Sequence, residues 1–396
     1  MSRLLAQDLL SLLEKENCSS APAFFLAEVR IEKNEISTVK GTAVLRRLRM
    51  KAAQLYHFDT SLQAHEWLVY EDVSEPTIEE PTDVIVQIGG AGVCGTDLEL
   101  IKGIWCNYMR IELPLILGHE NAGWVEEVGS SVKSVKVGDP VIIHPMAGED
   151  TAGSGTGTVH SNHQRNGYPG FNRNGGFAEY MLTEESNLIR LPPHLSPMDI
   201  APLADAGLTA YSAVRRAPEH LAPGNYTLVL GAGGLGHIGI QVLRALSATE
   251  IIVVDKSEAA LELARKVGAH YTFIADEHYP EKIRTLTRGL GVDATIDFVG
   301  KNGTVDCGLS ITRRGGHYFL VGYGGQLVIS TLEIVRSKKT IVGIMGGTIS
   351  ELKELITMVD RGLVSLTTRE YPLNEVNKAL RDLREGRSIG RVVLIP

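Results

Sequence analysis

A chain of 396 residues with 43% hydrophobic and 22% charged residues has the composition of a soluble globular protein, long enough for two domains with cores of their own. A formal net charge of −8 leaves no basic footprint for nucleic acid, and no uninterrupted apolar run is long enough to span a membrane, so neither partner is expected. Cys18, Cys94, Cys106 and Cys307 are dispersed and form no C-x-x-C pair, which excludes a disulfide framework and predicts a reducing, cytoplasmic setting.

Residues 1–49 form an extension. Leu4, Leu5, Leu9, Leu10, Leu12 and Leu13 recur at near-helical spacing and predict a short amphipathic helix. Asp8, Glu14 and Glu16 speak against a transit peptide, leaving an oligomer contact or an over-long start with Met50 as an alternative initiator. From Met50 onward strands are predicted at 50–56, at 83–88 with an end at Gly89 and Gly90, at 122–128 and at 140–144, a β-rich, barrel-like pattern. Residues 147–176 lack apolar periodicity and are rich in Gly, Ser, Thr, Asn and His, the composition of a functional lobe or mobile segment. Within it, His160 and His163 have a spacing suited at most to weak metal binding.

Cys94 and His119 stand among glycines between positions 92 and 120, with Asp97 and Glu120 beside them. Singly, a cysteine reads as a small buried hydrophobe and an acid as a solvated group. Together they suit zinc, which favours thiolate and imidazole and accepts carboxylate as a third ligand. Asp205, in a mostly apolar run, is costly to bury uncompensated. It reads equally as an N-cap for a helix over 207–217 or as the third ligand.

The second unit opens with an apolar strand at 227–230, followed at once by Gly231, Gly233, Gly234, Leu235 and Gly236 and then a helix over 238–246. A strand at 251–254 ends on Asp255, about 20 residues past the last of these glycines, which completes a dinucleotide fingerprint. Gly231 permits the tight turn, Gly233 admits the pyrophosphate, Gly236 allows close helix packing, and the helix N-terminus offers N–H groups to phosphate. Asp255 would accept hydrogen bonds from ribose hydroxyls and repel a 2′-phosphate, favouring NAD over NADP, a preference that Lys256 softens. Strands at 271–274, 294–299, 317–321 and 340–344 alternate with helices at 259–267, 280–287 and 304–310, predicting a parallel sheet. Val299, Val321 and Gly322 lie at carboxyl ends of those strands, where the nicotinamide belongs. Helices at 351–360 and 374–384 lead to a last strand at 390–395, read as rejoining the first domain.

With these pieces placed, residues 50–396 resemble the zinc-dependent medium-chain alcohol dehydrogenases, in a bacterial type without the structural-zinc cysteines. The matching stretches are Gly92-Val93-Cys94-Gly95-Thr96-Asp97, Gly118-His119-Glu120-Asn121-Ala122-Gly123, Val137-Gly138-Asp139-Pro140-Val141, Gly175-Gly176-Phe177-Ala178-Glu179-Tyr180, the glycine loop and Gly390-Arg391. The resemblance implies an α/β fold, a Rossmann doubly wound parallel sheet over 209–344 and a barrel-like (GroES-like) catalytic domain over 50–208 and 345–396. It implies that Cys94, His119 and Asp205 ligate zinc, with Glu120 as an exchangeable ligand, and that Asp97 orients His119. Thr96 would pass on the substrate proton, Thr209 would lie beside the nicotinamide, and Arg391 would contact a cofactor phosphate. Two departures follow. The lobe at 147–174 lacks the structural-zinc cysteines, so one zinc per chain is expected, and Glu99 stands where many relatives place a relay histidine.

The resulting expectation is reversible oxidation of a primary or secondary alcohol with NAD, in a homodimer or homotetramer. Trp105, Tyr108 and Met109 fall where the family lines its pocket entrance, which suggests an apolar or aromatic alcohol, or else they pack in the core or at a subunit contact. A polyol or amino-alcohol dehydrogenase of the same superfamily and a catalytically silent NAD-binding protein are the competing readings.

Overall fold

The computed structural model describes residues 38–39, 42–43, 49–145, 167–217 and 221–396; the predicted N-terminal helix, His160 and His163 lie outside the described residues. The chain divides into Met1–Arg47 and Leu48–Pro396. In the first unit Thr38–Val39 pairs antiparallel with Thr42–Ala43. The second unit carries everything that follows.

Its strands and helices, in order, begin with β1 (Arg49–Leu55), β2 (Leu68–Ser74), β3 (Asp83–Val93), α1 (Gly95–Ile101), β4 (Leu115–Ile116), β5 (Glu120–Val128), β6 (Pro140–Ile143), β7 (Tyr180–Glu184), β8 (Leu188–Arg190), α2 (Pro197–Ile200) and α3 (Ala206–Arg215). There follow β9 (Tyr226–Leu230), α4 (Gly236–Leu246), β10 (Glu250–Asp255), α5 (Glu258–Val267), β11 (Tyr271–Ile274), α6 (Tyr279–Leu286), β12 (Val292–Asp297), α7 (Thr304–Ile311), β13 (Thr312–Leu320), α8 (Thr331–Ser337) and β14 (Thr340–Gly343). The chain closes with α9 (Ile349–Asp360), β15 (Thr368–Pro372), α10 (Val376–Arg384) and β16 (Arg391–Ile395).

The first sheet runs β8-β6-β5-β3-β16-β15, with β7 pairing β3 as well, and a smaller sheet runs β2-β1-β4. Strand β3 is the axis of this part. It pairs antiparallel with β5, β7 and the chain-terminal β16, whose Val393 lies opposite Gly92. The second sheet is parallel, β11-β10-β9-β12-β13-β14. Its central strands read Tyr-Thr-Leu-Val-Leu and Glu-Ile-Ile-Val-Val-Asp and are buried almost throughout, as a sheet covered on both faces requires. A single apolar cluster runs from Ala122 and Ile142 through Leu203 and Leu208 to Val229 and Ile251, joining the two sheets around the segment that carries Asp205. No helix among the described residues is long and apolar enough to cross a membrane.

Two of the strand ends that differ from the sequence reading lie beside the site. The expected stop at Gly89 and Gly90 is absent, and β3 continues to Val93 through a register shift between Ile88 and Gly90. These glycines serve close approach instead: a Cβ at Gly89 would lie 2.6 Å from the Trp124 ring, and one at Gly90 3.0 Å from the Met198 carbonyl oxygen. In the second sheet the strand expected to reach Val299 stops at Asp297, whose side chain takes the N–H groups of Val299 and Gly300 out of the ladder.

Candidate metal and dinucleotide site

Three elements deliver the polar cluster. Cys94 follows β3 directly and stands at the N-cap of α1, where its N–H donates to Asp97 Oδ2 at 2.8 Å. His119 immediately precedes β5 and Glu120 opens it, after Gly118, whose φ of 96° and proximity to Phe177 exclude a side chain. Asp205 occupies the N-cap position of α3 but makes no side-chain cap hydrogen bond. Its Oδ2 instead lies 3.4 Å from His119 Nε2, while its Oδ1 accepts from the Thr209 hydroxyl at 3.2 Å. The local ambiguity is thereby resolved toward a side chain aimed into the cluster.

One ligand atom each from Cys94, His119, Glu120 and Asp205 lies within 4.8 Å of all the others. Both ring nitrogens of His119 and Glu120 Oε1 are buried without a hydrogen-bond partner. Ligand atoms about 2.0–2.2 Å from a tetrahedral zinc lie about 3.4 Å from each other. The imidazole–carboxylate separation of 3.4 Å matches that spacing, and the donor set of thiol, imidazole and carboxylate is one that zinc accepts. The residues present therefore fit the ion.

The electrostatics also favour a cation. Burial alone would lower the His119 pKa, but Asp97, with Oδ1 3.3 Å from Nδ1, and Asp205 outweigh it and raise it well above the usual imidazole value. Asp205 is held below the carboxylate range, burial being overcome by His119. Glu120 is pushed up to about 7 by burial, against the opposing charge of Arg391. Arg391 Nη2 donates to Glu120 Oε2, and the guanidinium also rests against the glycine loop, since a Cβ on Gly234 would lie 2.5 Å from Nη1.

On the dinucleotide side, Gly231 has a φ of 90°, and a Cβ at Gly236 would fall 1.9 Å from the Gly231 carbonyl oxygen. Around Gly233, by contrast, a Cβ would meet nothing within 4 Å. Asp255 Oδ2 accepts from the Ala232 N–H at 2.8 Å and Oδ1 from the Ser257 N–H at 2.8 Å, with Lys256 exposed beside it. Val299 and Gly322 are packed against each other, and Val321 follows the end of β13.

Residues 80–193 match the alcohol dehydrogenase GroES-like domain, and residues 234–361 match the zinc-binding dehydrogenase domain. A D-arabinose 1-dehydrogenase (NADP(+)) of Saccharolobus solfataricus is 35% identical over 357 residues, covering 88% of this chain and 98% of the relative. An alcohol dehydrogenase of Geobacillus stearothermophilus is 33% identical, covering 87% and 98% respectively. The crystal structure of the alcohol dehydrogenase of Aeropyrum pernix superposes with a TM-score of 0.81 at 40% identity, covering 87% of this chain and all of that one. The chain belongs to the zinc-type medium-chain alcohol dehydrogenases. It is an oxidoreductase of this family, with zinc and a nicotinamide dinucleotide as the family's cofactors.

Within this alcohol dehydrogenase, the remaining expected positions are spread unevenly. Thr96 Oγ1 is hydrogen-bonded to the Tyr323 hydroxyl at 2.8 Å, whereas Glu99 lies a turn further along α1 and accepts from Lys102 at 2.9 Å. Trp105 meets the Phe171 ring edge-on at 5.1 Å, and Phe171 in turn meets His119 at 5.1 Å. Tyr108 meets the Trp105 ring edge-on at 6.0 Å but is 77% exposed, at the outer end of this row, and Met109 is half-buried. Phe171 was invisible in the sequence because it lies in the unpatterned lobe. Tyr323 carried one signal, its place just after a strand end.

Proposed function

We propose that Cys94, His119 and Asp205 hold a single zinc ion, with Glu120 able to approach as a fourth group, and that the site oxidises an alcohol with NAD. The convergence of these ligand atoms within 4.8 Å carries the reading. Zinc held there would supply Lewis acidity to an alcohol hydroxyl, and the nicotinamide would take the hydride. Asp97 holds His119 from the Nδ1 side and leaves Nε2 facing inward. Thr96 Oγ1 accepts the alcohol proton as its own hydroxyl proton is handed onward. Tyr323, whose pKa burial pushes up to about 12, keeps its own proton and orients the Thr96 hydroxyl. Glu99 is the outer acceptor, beside Lys102.

Gly231, Gly233, Gly234, Leu235 and Gly236 receive the pyrophosphate at the start of α4, Asp255 takes the ribose hydroxyls with Lys256 alongside, and Thr209, Val299, Val321 and Gly322 flank the nicotinamide. Arg391 Nε, buried and without a partner, would serve a cofactor phosphate, with Nη1 of the same guanidinium beside Gly234. The row of Trp105, Phe171 and Tyr323, with Trp105 and Tyr323 ring centroids 6.0 Å apart, favours an apolar or aromatic alcohol.

A screen of NADH formation from benzyl alcohol, 2-octanol, sorbitol and threonine, with and without chelator, tests this. Turnover of the first two, lost on chelation, is expected; turnover of sorbitol or threonine alone would move the substrate to the polyol or amino-alcohol class. Cys94→Ser should lose both zinc and turnover while still binding NAD, and retained activity overturns the assignment. Metal analysis returning two zinc equivalents would overturn the single site.

The same reading includes a homodimer or homotetramer in a reducing, cytoplasmic compartment, consistent with the free Cys94, Cys106 and Cys307. Strand β14 is an edge of its sheet, and Leu327, Val328, Leu332, Val335 and Met345 expose apolar surface around it, a combination suited to edge-to-edge pairing with a second copy. Val335→Asp should lower the mass measured by light scattering.

A further inference from the structure

Asp297 closes β12 and is fully buried. Its Oδ1 accepts from the Val299 N–H at 2.8 Å and the Gly300 N–H at 2.9 Å, and its Oδ2 accepts from the Tyr318 hydroxyl at 2.7 Å. Its backbone carbonyl accepts from the N–H groups of Val321 and Gly322, both at 2.9 Å. One residue therefore ties together the ends of β12 and β13. No ion pair to Asp297 occurs among the described residues, so these hydrogen bonds alone compensate its burial. Burial pushes the Tyr318 pKa up, so its hydroxyl remains a donor.

Of the tied segments, the end of β12 borders the place in the sheet where the strand order reverses, between β9 and β12, with the end of β13 one strand further out, and ligands of such sheets bind in the crevice that opens there. There is no slack between them. A Cβ at Gly300 would fall 1.8 Å from the Gly322 carbonyl oxygen, and one at Gly231 would lie 2.9 Å from Val299 Cγ2. The direction taken by the chain after β12 thus sets the wall facing the glycine loop, and Asp297 sets that direction.

We propose that Asp297 is a positioning residue for hydride transfer, holding Val299, Gly300, Val321 and Gly322 as the surface on which the nicotinamide ring lies. This rests on the dinucleotide reading above. The adenosine half is held elsewhere, by the loop from Gly231 and by Asp255, so the two halves of the cofactor respond differently when Asp297 is changed. Hydride transfer depends steeply on the approach geometry of the two carbons, so a relaxed wall affects turnover as well as binding.

The test compares NAD with ADP-ribose, which lacks the nicotinamide, on the zinc-loaded enzyme. Asp297→Ala should raise the KM for NAD on the order of tenfold and lower kcat, with the calorimetric Kd for ADP-ribose unchanged. Asp297→Asn, whose Oδ1 still accepts both N–H groups, should recover most of the loss. If the alanine variant does not fold, Tyr318→Phe removes a single donor and should weaken NAD about threefold with ADP-ribose again unchanged. Parallel loss of ADP-ribose and NAD affinity, or unchanged NAD kinetics in the variant that folds, overturns the proposal. If the unmodified enzyme binds neither compound, the dinucleotide reading itself fails and the positioning role falls with it.

Discussion

The guanidinium of Arg391 donates to the carboxylate of Glu120 at a point where both side chains are buried, 3% and 0% exposed, and the same guanidinium rests against Gly234 of the glycine loop. Glu120 lies in register with Gly92, where a Cβ would fall 2.0 Å from its Oε2, so β3 has no room for any other residue there.

Arg391→Met leaves the buried Glu120 carboxyl without its partner and pushes its pKa still higher, so that it takes up a proton, and the variant should destabilise the protein by about 1–3 kcal/mol. Adding Glu120→Gln should restore part of that loss in alkaline buffer, where the lone carboxyl would otherwise be driven to ionise. Urea denaturation of the two single variants and the double variant, at fixed zinc and without cofactor, gives the coupling. Additive losses would mean that Arg391 stabilises the fold through Gly234 rather than through Glu120.

The glycine loop separates two kinds of glycine requirement. A Cβ at Gly236 would collide with the Gly231 carbonyl, while one at Gly233 would enter open space. Gly236→Ala should lower the melting temperature. Gly233→Ala should leave it within a degree or two and abolish NAD binding, because the methyl occupies room that only a ligand uses. Unimpaired NAD binding by Gly233→Ala, measured by NADH fluorescence, would show that the pyrophosphate does not approach this residue.

How much of this was legible depended on whether the signal was local. The βα alternation from β9 to β14 was readable because a buried parallel strand needs an unbroken apolar run and a covering helix needs its own period. Cys94, His119 and Glu120 stood out because their glycines stood with them. Asp205 was undecidable alone, since whether it caps α3 or turns inward depends on His119 in another element. Gly89 and Gly90 misled because a glycine needed for close approach to Trp124 looks the same in sequence as one that ends a strand. Asp297 was hidden inside an apolar stretch, and its task is visible only once Val299, Gly300 and Tyr318 surround it.

Asp97 and Glu99 are two acids on one short helix with opposite surroundings. Asp97 is fully buried between the Cys94 N–H and the His119 ring, whereas Glu99 is half-buried and salt-bridged to Lys102. Asp97→Ala should weaken zinc retention about 10- to 100-fold in a chelator competition, and Glu99→Gln should leave it unchanged. The relay role of Glu99 is read separately from the pH–rate profile: an unchanged profile and rate in Glu99→Gln removes it from the proton path. Equal zinc loss in both variants would mean that α1 as a whole, and not the Asp97 carboxylate, supports the ligands.

His237, beside the glycine loop, makes the stability of the fold sensitive to acid. It lies in the first turn of α4 with no exposed surface, its Nδ1 3.0 Å from the Gly233 carbonyl oxygen and its Nε2 accepting from the Thr367 N–H at 3.5 Å. Burial lowers its pKa to about 4. The unfolded chain, with a histidine pKa of about 6.5, takes up a proton first as the pH falls. The stabilising contribution is therefore complete above about pH 6.5, is lost progressively as the pH falls toward 4, and changes no further once both states are protonated. Across that whole window it amounts to roughly 3 kcal/mol, of which about 2 kcal/mol is lost between pH 7 and pH 5. His237→Gln, which can still donate to Gly233 and cannot be protonated, should give a flatter dependence of the urea midpoint over the same interval. An identical slope in both proteins would assign the acid sensitivity to other groups.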